Sequence, residues 1–463
     1  MADAMPDLVV LIPGIGGSVL SRNGRDIWSF APGAAFRGVL SRGGSIRQLR
    51  LDDGDDPTLD DLDDGVVAKA LLPDLHIVPG LDWKIDGYTR FRDQLLTRFD
   101  CTPGKNYFEF AYDWRRDNRV AARKLARATG GWLRRWREES GNDAAKLILV
   151  GHSMGGIVAR LFLELHEGWR NTRRLITFGT PYSGSVNALD FLANGFRRGW
   201  GPFTLDLSDT LRSFTSVYQL LPSFRCLAGP GDQWLNLDEV DWSGTKVDHG
   251  KLVDAIELAR DLRATVDSRL ATGERNGYDV RAVIGDFQRT KWAARRLPDG
   301  RIEPMWMRTL SEDGGDGTVP RVSAMPHELL NGWHNATFVG QRHASLQNDG
   351  PVLDHVAGLL RIRPTGSVPV FADVENLSLE VADVPLGEPL EIRAGSRRPG
   401  AALTASVQEI ATGAVRQVRL TEVSAGWHEA AVEGLADGDY RVTVSASEAH
   451  RVTEVVGVID VRP

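Results

Sequence analysis

Residues 147–165, LILVGHSMGGIVARLFLEL, constrain the fold of this chain more than any other stretch. Leu147, Ile148, Leu149 and Val150 make an uninterrupted apolar run, as a strand buried on both faces of a parallel sheet requires. Beyond a tight turn, Ile157, Val158, Leu161, Phe162 and Leu165 recur at helical spacing. The turn itself, Gly151-His152-Ser153-Met154-Gly155, has the G-x-S-x-G spacing of a nucleophile elbow. Such an elbow holds its serine in strained backbone at the top of the sheet. A side chain two residues to either side would strike the neighbouring strand or helix. The following helix aims its free N–H groups at the place where an oxyanion would form. A Gly-rich strand-to-helix turn with an incidental serine is the plainer alternative, and the flanking strand and helix argue against it.

The same alternation runs along much of the chain and predicts a doubly wound α/β sheet, the α/β-hydrolase fold. LVVLIP at residues 8–13 is a first strand, with the loop GIGGS after it. FEFAYDWRRD holds a second strand, AARKLARATGGWLRRWREE is an amphipathic helix, and RRLITFGTPYSGS carries the strand after the elbow. Between about residues 186 and 273 the alternation breaks down. That cap or lid insertion is dense in aromatics, among them Phe191, Phe196, Trp200, Phe203 and Phe214. YDVRAVIG and GDGTVPRVSA then resume the sheet, NATFVG is a further strand, and VLDHVAGLLRI is a closing helix. Past Pro364 the texture changes to short period-two runs, with Tyr440, Val442 and Val444 lining one face. These predict an all-β immunoglobulin- or fibronectin-like sandwich, in which GLADGDYRV resembles the approach to a tyrosine corner. The expected plan is a catalytic domain over residues 1–364, its cap inserted at about 186–273, and a β-sandwich over 365–463.

Charge and cysteine usage narrow the function. A net charge of −7 argues against a dedicated nucleic-acid binder, and pairs such as Arg134-Arg135 and Arg197-Arg198 are too short to reverse it. The acidic run LDDGDDPTLDDLDDG lacks the ligand order of a calcium loop and reads as a solvated surface loop. Two cysteines, Cys101 and Cys226, imply no disulfide framework, although one bridge between them stays open. The first residues, MADAMPDLVVLIPG, have no basic n-region, and no apolar run approaches the roughly 18 residues of a membrane span. The expectation is a soluble, cytoplasmic protein without a signal peptide, metal or cofactor.

An elbow serine needs a base to take its proton, and the base needs an acid to fix its tautomer. In this fold the chain order is serine, acid, histidine. GGDGTVPRVS offers Asp316 between glycines in a turn, with Asp313 as competitor. Three histidines follow: His327, His334 and His343. His343 lies in the loop after the strand NATFVG, at the edge of the sheet where the serine must be, whereas His334 precedes that strand. The oxyanion hole needs one N–H from Met154, after the nucleophile, and one from the loop after an early strand, for which Ile15 in PGIGGS is chosen. A nucleotide-loop reading of Gly14-x-Gly16 fails on the missing G-x-G-x-x-G spacing.

LIPGIGGSVL, DIWSFAP, YDWRRD, GHSMGG, TFGTP, YQLLPSF and GDGTVP, in that order over residues 8–362, together resemble the lecithin:cholesterol acyltransferase family. That family also contains lysosomal phospholipase A2-like enzymes and bacterial lipase/acyltransferase-like proteins. The resemblance implies Ser153 as nucleophile, Asp316 as acid, His343 as base, and Ile15 and Met154 lining the oxyanion hole. Trp28 and Tyr112-Asp113-Trp114-Arg115 match motifs that are partly structural there. Tyr182 stands where many relatives have histidine, and the sandwich lies outside the resemblance, so neither cholesterol nor lipoprotein is implied. The expected activity is a serine acyl hydrolase or acyltransferase working through an acyl-serine, with a lipid ester favoured by the aromatic insert. The cap is expected to touch a membrane surface transiently and the sandwich to meet a protein partner. A small-ester esterase and a catalytically silent hydrolase-fold binding protein are the rivals.

Overall fold

The computed structural model describes residues 2–29, 47–52, 54–73, 76–77, 84–85, 87–198, 205–231, 233–272, 278–306, 314–330, 336–361, 375–396, 400–446 and 452–462. Trp200, Phe203, Asp313, His334 and the expected boundary at 364/365 lie outside them. Six parallel strands form the central sheet: β1 (Leu8–Ile12), β2 (Tyr107–Glu109), β3 (Leu147–His152), β4 (Thr172–Phe178), β5 (Asp279–Gly285) and β6 (Ala336–Val339). Their spatial order is β6-β5-β4-β3-β1-β2. After β1 the chain runs outward to β2, then returns to β3 and runs the other way. The loops leaving β1 and β3 therefore diverge at adjacent carboxyl ends and open a crevice there, where open α/β sheets bind ligands.

Strict alternation of side chains explains the two covering layers. Leu8, Val10, Ile12, Leu147 and Leu149 pack on one face, against α2 (Asn118–Ser140) and α3 (Met154–Leu165). Val9, Leu11, Ile148 and Val150 pack on the other, against Phe91 and Leu95 of α1 (Thr89–Arg98) and Val352, Leu353 and Val356 of α6 (Gly350–Arg361). The expected strands at LVVLIP, FEFAYDWRRD, RRLITFG, YDVRAVIG and NATFVG all form. GDGTVPRVSA does not: Gly315 and Pro320 make an isolated bridge, and a short helix, Arg321–Ala324, follows. Two backbone N–H groups fold that turn onto the Asp316 carboxylate, which rules out an extended strand.

The insert over about 186–273 contains α4 (Val186–Asn194) and α5 (His249–Thr272). Phe191, Phe196 and Phe214 are all buried, Phe191 against Phe196 and Phe214 edge-on to Trp114, so these three pack the cap instead of lining an open groove. A second excursion between β5 and β6, the hairpin of Lys291–Arg296 and Ile302–Trp306, joins Leu227–Ala228 and Trp234–Leu235 in a four-stranded sheet. The acidic run is a loop in which Asp52, Asp56, Asp61 and Asp63 are exposed, as expected, but three of its other acids meet arginines. Asp55 is buried against Arg116 (3.0 Å), Asp64 meets the buried Arg115 (2.9 Å) and Asp60 meets Arg123 (2.8 Å). These arginines lie some fifty to sixty positions later, just before α2 and in its second turn, beyond the reach of a local reading.

Cys101 and Cys226 are both free and buried, so no bridge joins them. Among the described residues no helix is long and apolar enough to cross a membrane. The C-terminal β-rich region stacks a five-stranded sheet on a four-stranded one, with Tyr440, Val442 and Val444 buried between them as expected. The Tyr440 hydroxyl donates to the Ala436 carbonyl (3.1 Å) and accepts from the Ala436 N–H (3.0 Å).

Candidate active site

Ser153 sits between β3 and α3 with φ 52° and ψ −125°, a backbone conformation that costs a non-glycine residue roughly 1–3 kcal/mol. Its N–H donates to the Phe178 carbonyl on β4 (2.8 Å), which anchors the elbow to the sheet. The flanking glycines are there for space. A Cβ on Gly151 would lie 2.6 Å from the Gly156 Cα, and one on Gly155 would run into the Ile12 carbonyl of β1.

The His343 ring, at the start of a 3-10 turn (His343–Asn348) just after β6, reaches Ser153 Oγ through Nε2 at 2.9 Å. Nδ1 lies 2.6 Å from Asp316 Oδ2. A carboxylate only accepts, so Nδ1 carries the proton and Nε2 is left bare to receive the serine hydroxyl. Asp316 is buried, and its Oδ1 accepts from the N–H groups of Thr318 (2.9 Å) and Val319 (2.7 Å). The acid and base loops are also joined directly, the His343 N–H donating to the Asp316 carbonyl (2.9 Å). Serine, acid and base thus come together as expected. His327 does not join them: its Nε2 pairs with Asp267 on α5 at 2.6 Å.

A second histidine went without a role in the sequence reading. His152, immediately before the nucleophile, is fully buried, its ring tilted against His343 with centroids 5.3 Å apart. Nε2 faces the His343 carbonyl at 3.2 Å and Nδ1 faces the Tyr88 hydroxyl at 2.9 Å. The carbonyl can only accept, so Nε2 holds the proton and Tyr88 donates to Nδ1, while the same hydroxyl accepts from the Gly14 N–H (2.9 Å). One chain of bonds therefore ties the loop after β1, the elbow and the backbone of the base. Burial first, and then the neighbouring His343, holds His152 down to about 3. It stays neutral beside His343, so it does not oppose the positive charge that ring gains on taking the serine proton. The histidine was visible within GHSMG; Tyr88, in IDGYTR, carries no motif signal.

The supporting motifs act on the loop after β1. Trp28 Nε1 donates to the Gly16 carbonyl (2.7 Å), Trp114 Nε1 to the Ser18 carbonyl (3.0 Å) and the Tyr112 hydroxyl to the Pro13 carbonyl (2.9 Å). Tyr182 packs: its hydroxyl donates to Thr177 (3.3 Å), and the Arg160 guanidinium lies 5.4 Å over its ring.

A parallel-sheet α/β-hydrolase-like core, with serine, histidine and aspartate in one hydrogen-bonded network at its switch point, defines a serine ester hydrolase or acyltransferase. Residues 82–260 match the family model of lecithin:cholesterol acyltransferase. The chain is 26% identical over 330 residues to "Phospholipase A(1) LCAT3" of Arabidopsis thaliana, covering 64% of this chain and 71% of that one. It is 24% identical over 271 residues to "Lecithin-cholesterol acyltransferase-like 4" of the same plant, covering 51% of this chain but under half, 47%, of the relative. Among solved structures, "The crystal structure of Tle4-Tli4 complex" superposes with a TM-score of 0.50 at 16% identity, over 79% of this chain and 100% of that one, a likeness of fold.

Proposed function

We propose that this protein cleaves or transfers the acyl group of a lipid ester, with Ser153 as nucleophile, His343 as base and Asp316 as the acid that orients it. The observation that carries the reading is the hydrogen-bonded series Ser153 Oγ–His343–Asp316, at 2.9 and 2.6 Å. His343 takes the hydroxyl proton as Ser153 attacks the ester carbonyl, then returns it to the departing alcohol or lysolipid, leaving an acyl-serine. Water or a second hydroxyl takes the acyl group in the next half-reaction. The tetrahedral oxyanion is received by the N–H groups of Ile15 and Met154. Neither has a hydrogen-bond partner among the described residues, whereas the Gly14 N–H is already committed to Tyr88. A lipid is the favoured substrate class because the relative that matches the greater share of this chain is named a phospholipase A(1). Phe191, Phe196 and Phe214 are buried within the cap and so carry no argument for an open acyl groove, and the preference for a long chain rests on that likeness.

The catalytic domain is assigned to residues 1–364, its cap to about 186–273 and the β-sandwich to 365–463. Two packed sheets and the Tyr440 hydroxyl turned back onto Ala436 support an immunoglobulin- or fibronectin-like identity for the last. Lipid mass spectrometry after incubation with the wild type and with Ser153→Ala tests the proposal. A fatty acid or acyl-transfer product made only by the wild type is the expected result. Turnover of short soluble esters alone would make it a small-ester esterase, and no labelling by a fluorophosphonate would favour the binding-protein rival.

A further inference from the structure

The loops bearing Asp316 and His343 are gripped by two buried glutamines that also bind the C-terminal β-region. Gln288 lies just beyond β5. Its N–H donates to the Gly315 carbonyl (2.9 Å), one residue before the acid. Its side-chain amide donates to the Leu377 carbonyl (2.9 Å) and to the Gly340 carbonyl of the base loop (3.4 Å), while its Oε1 accepts from the Leu379 N–H (3.0 Å). Gln341 stands two residues before the base. Its amide donates to Asp349 Oδ2 (2.8 Å) and to the Glu454 carbonyl (2.5 Å), and its Oε1 accepts from the Val456 N–H (3.2 Å). Both side chains are almost wholly buried, at 2% and 1% exposure.

The chemistry is the same in both places. A primary amide carries two donors and an acceptor, so it imitates a peptide group and pairs with the backbone of a strand without burying a charge. Each amide uses one N–H on the catalytic domain, and its other N–H and its oxygen on the β-region. If the β-region shifted, buried donors and acceptors on both partners would be left unmet, which is costly. Positions of acid and base are thereby made to depend on a region that contributes no reacting group.

We propose that the C-terminal β-region sets the position of the catalytic acid and base, and that Gln288 and Gln341 are the positioning residues through which it does so. The inference rests on the assignment of Asp316 and His343 given above. It assigns the β-region a part in every turnover, including turnover of a small soluble ester, in addition to any partner it binds.

The test uses the full chain carrying Gln288→Met or Gln341→Met, which keep side-chain length and remove the amide, with the exposed Thr421→Ala as control. On a soluble p-nitrophenyl ester kcat should fall tenfold or more with KM within twofold, and fluorophosphonate labelling of Ser153 should slow in parallel; the control should match the wild type. A lowered melting temperature with kcat within twofold of the wild type would overturn the proposal by making the amides structural only. Should either variant fail to fold, amide exchange in the wild type decides. Coupling is reciprocal, so phosphonylating Ser153 should slow exchange at Leu379 and Val456, and unchanged exchange there would sink the idea. Failure of the triad assignment looks different, because Ser153→Ala or His343→Ala would then remain active whatever the glutamines do.

Discussion

The two halves of the active site are held in different ways. On the nucleophile side, the elbow between β3 and α3 and the loop after β1 are positioned by backbone: Gly151 and Gly155 admit close approach, and Ser153 hangs from the Phe178 carbonyl. Aromatic N–H and O–H groups, from Trp28, Trp114 and Tyr112, then hold the loop carbonyls. On the acid–base side, Asp316 and His343 sit on turns beyond β5 and β6 that are not strands of the sheet. Their support comes from the side-chain amides of Gln288 and Gln341 and from a region of the chain more than thirty residues further on. A strained serine needs a rigid local frame. The acid and base need only be brought to it, and distant groups can do that. Tyr88 and His152 span the two halves, and their bonds are where the comparison can be tested.

The largest effect should come from the reacting atoms themselves. Ser153→Ala and His343→Ala should each lower kcat on a soluble ester by about 10⁴-fold or more, and the double variant should be no worse than either, because the groups act as one unit. Additive losses in a double-mutant cycle would mean the halves work independently. Asp316→Asn should cost about 10³–10⁴-fold by offering His343 the wrong tautomer partner, while Asp313→Asn should stay near the wild type. Steady-state kinetics on the pair would show at once if the roles are reversed.

Smaller effects probe the link. Tyr88→Phe removes one hydroxyl and strands both the Gly14 N–H and His152 Nδ1. A loss of about tenfold or more in kcat is expected, since two buried groups that fix the loop after β1 and the elbow are left unmet, with the fold retained by circular dichroism. Unchanged kcat would separate the halves completely. The smallest effect is on stability against acid. His152 is held at about 3 in the folded chain against an ordinary 6.5, so between those values the unfolded chain binds a proton that the folded one refuses. Stability should therefore fall as pH falls through that window and be indifferent to His152 above it. His355, lowered to about 4 mainly by burial, adds to the same trend. His152→Gln should flatten the dependence by up to one proton, about 1.4 kcal/mol per pH unit, in denaturant titrations between pH 4 and 7. An identical slope in the variant would mean that His152 is not a buried neutral ring.

Legibility in the sequence followed the range of the forces involved. The elbow, its strand and its helix lie within nineteen consecutive residues, and apolar periodicity with two glycines expresses them fully. Asp316 and His343 were reachable because chain order and loop position in this fold leave few candidates. The pairing of Asp55, Asp60 and Asp64 within the acidic loop was not legible, because Arg116, Arg123 and Arg115 come some fifty to sixty positions later. The hairpin of Lys291–Arg296 and Ile302–Trp306 was passed over although LPDGR marks its turn.

By itself, then, the sequence determined the parallel sheet, the strained serine and the chain order of its partners, since these follow from local sterics and from burial at periods of two and 3.6 residues. Only the tertiary structure decided which polar side chains would be buried together. Tyr88 on His152, Gln288 on Leu377 and Leu379, and Gln341 on Glu454 and Val456 join residues 64 to 115 positions apart. A hydrogen bond of this kind leaves no periodic trace in the chain. Its partners meet because the core has already packed, and once buried they must be satisfied.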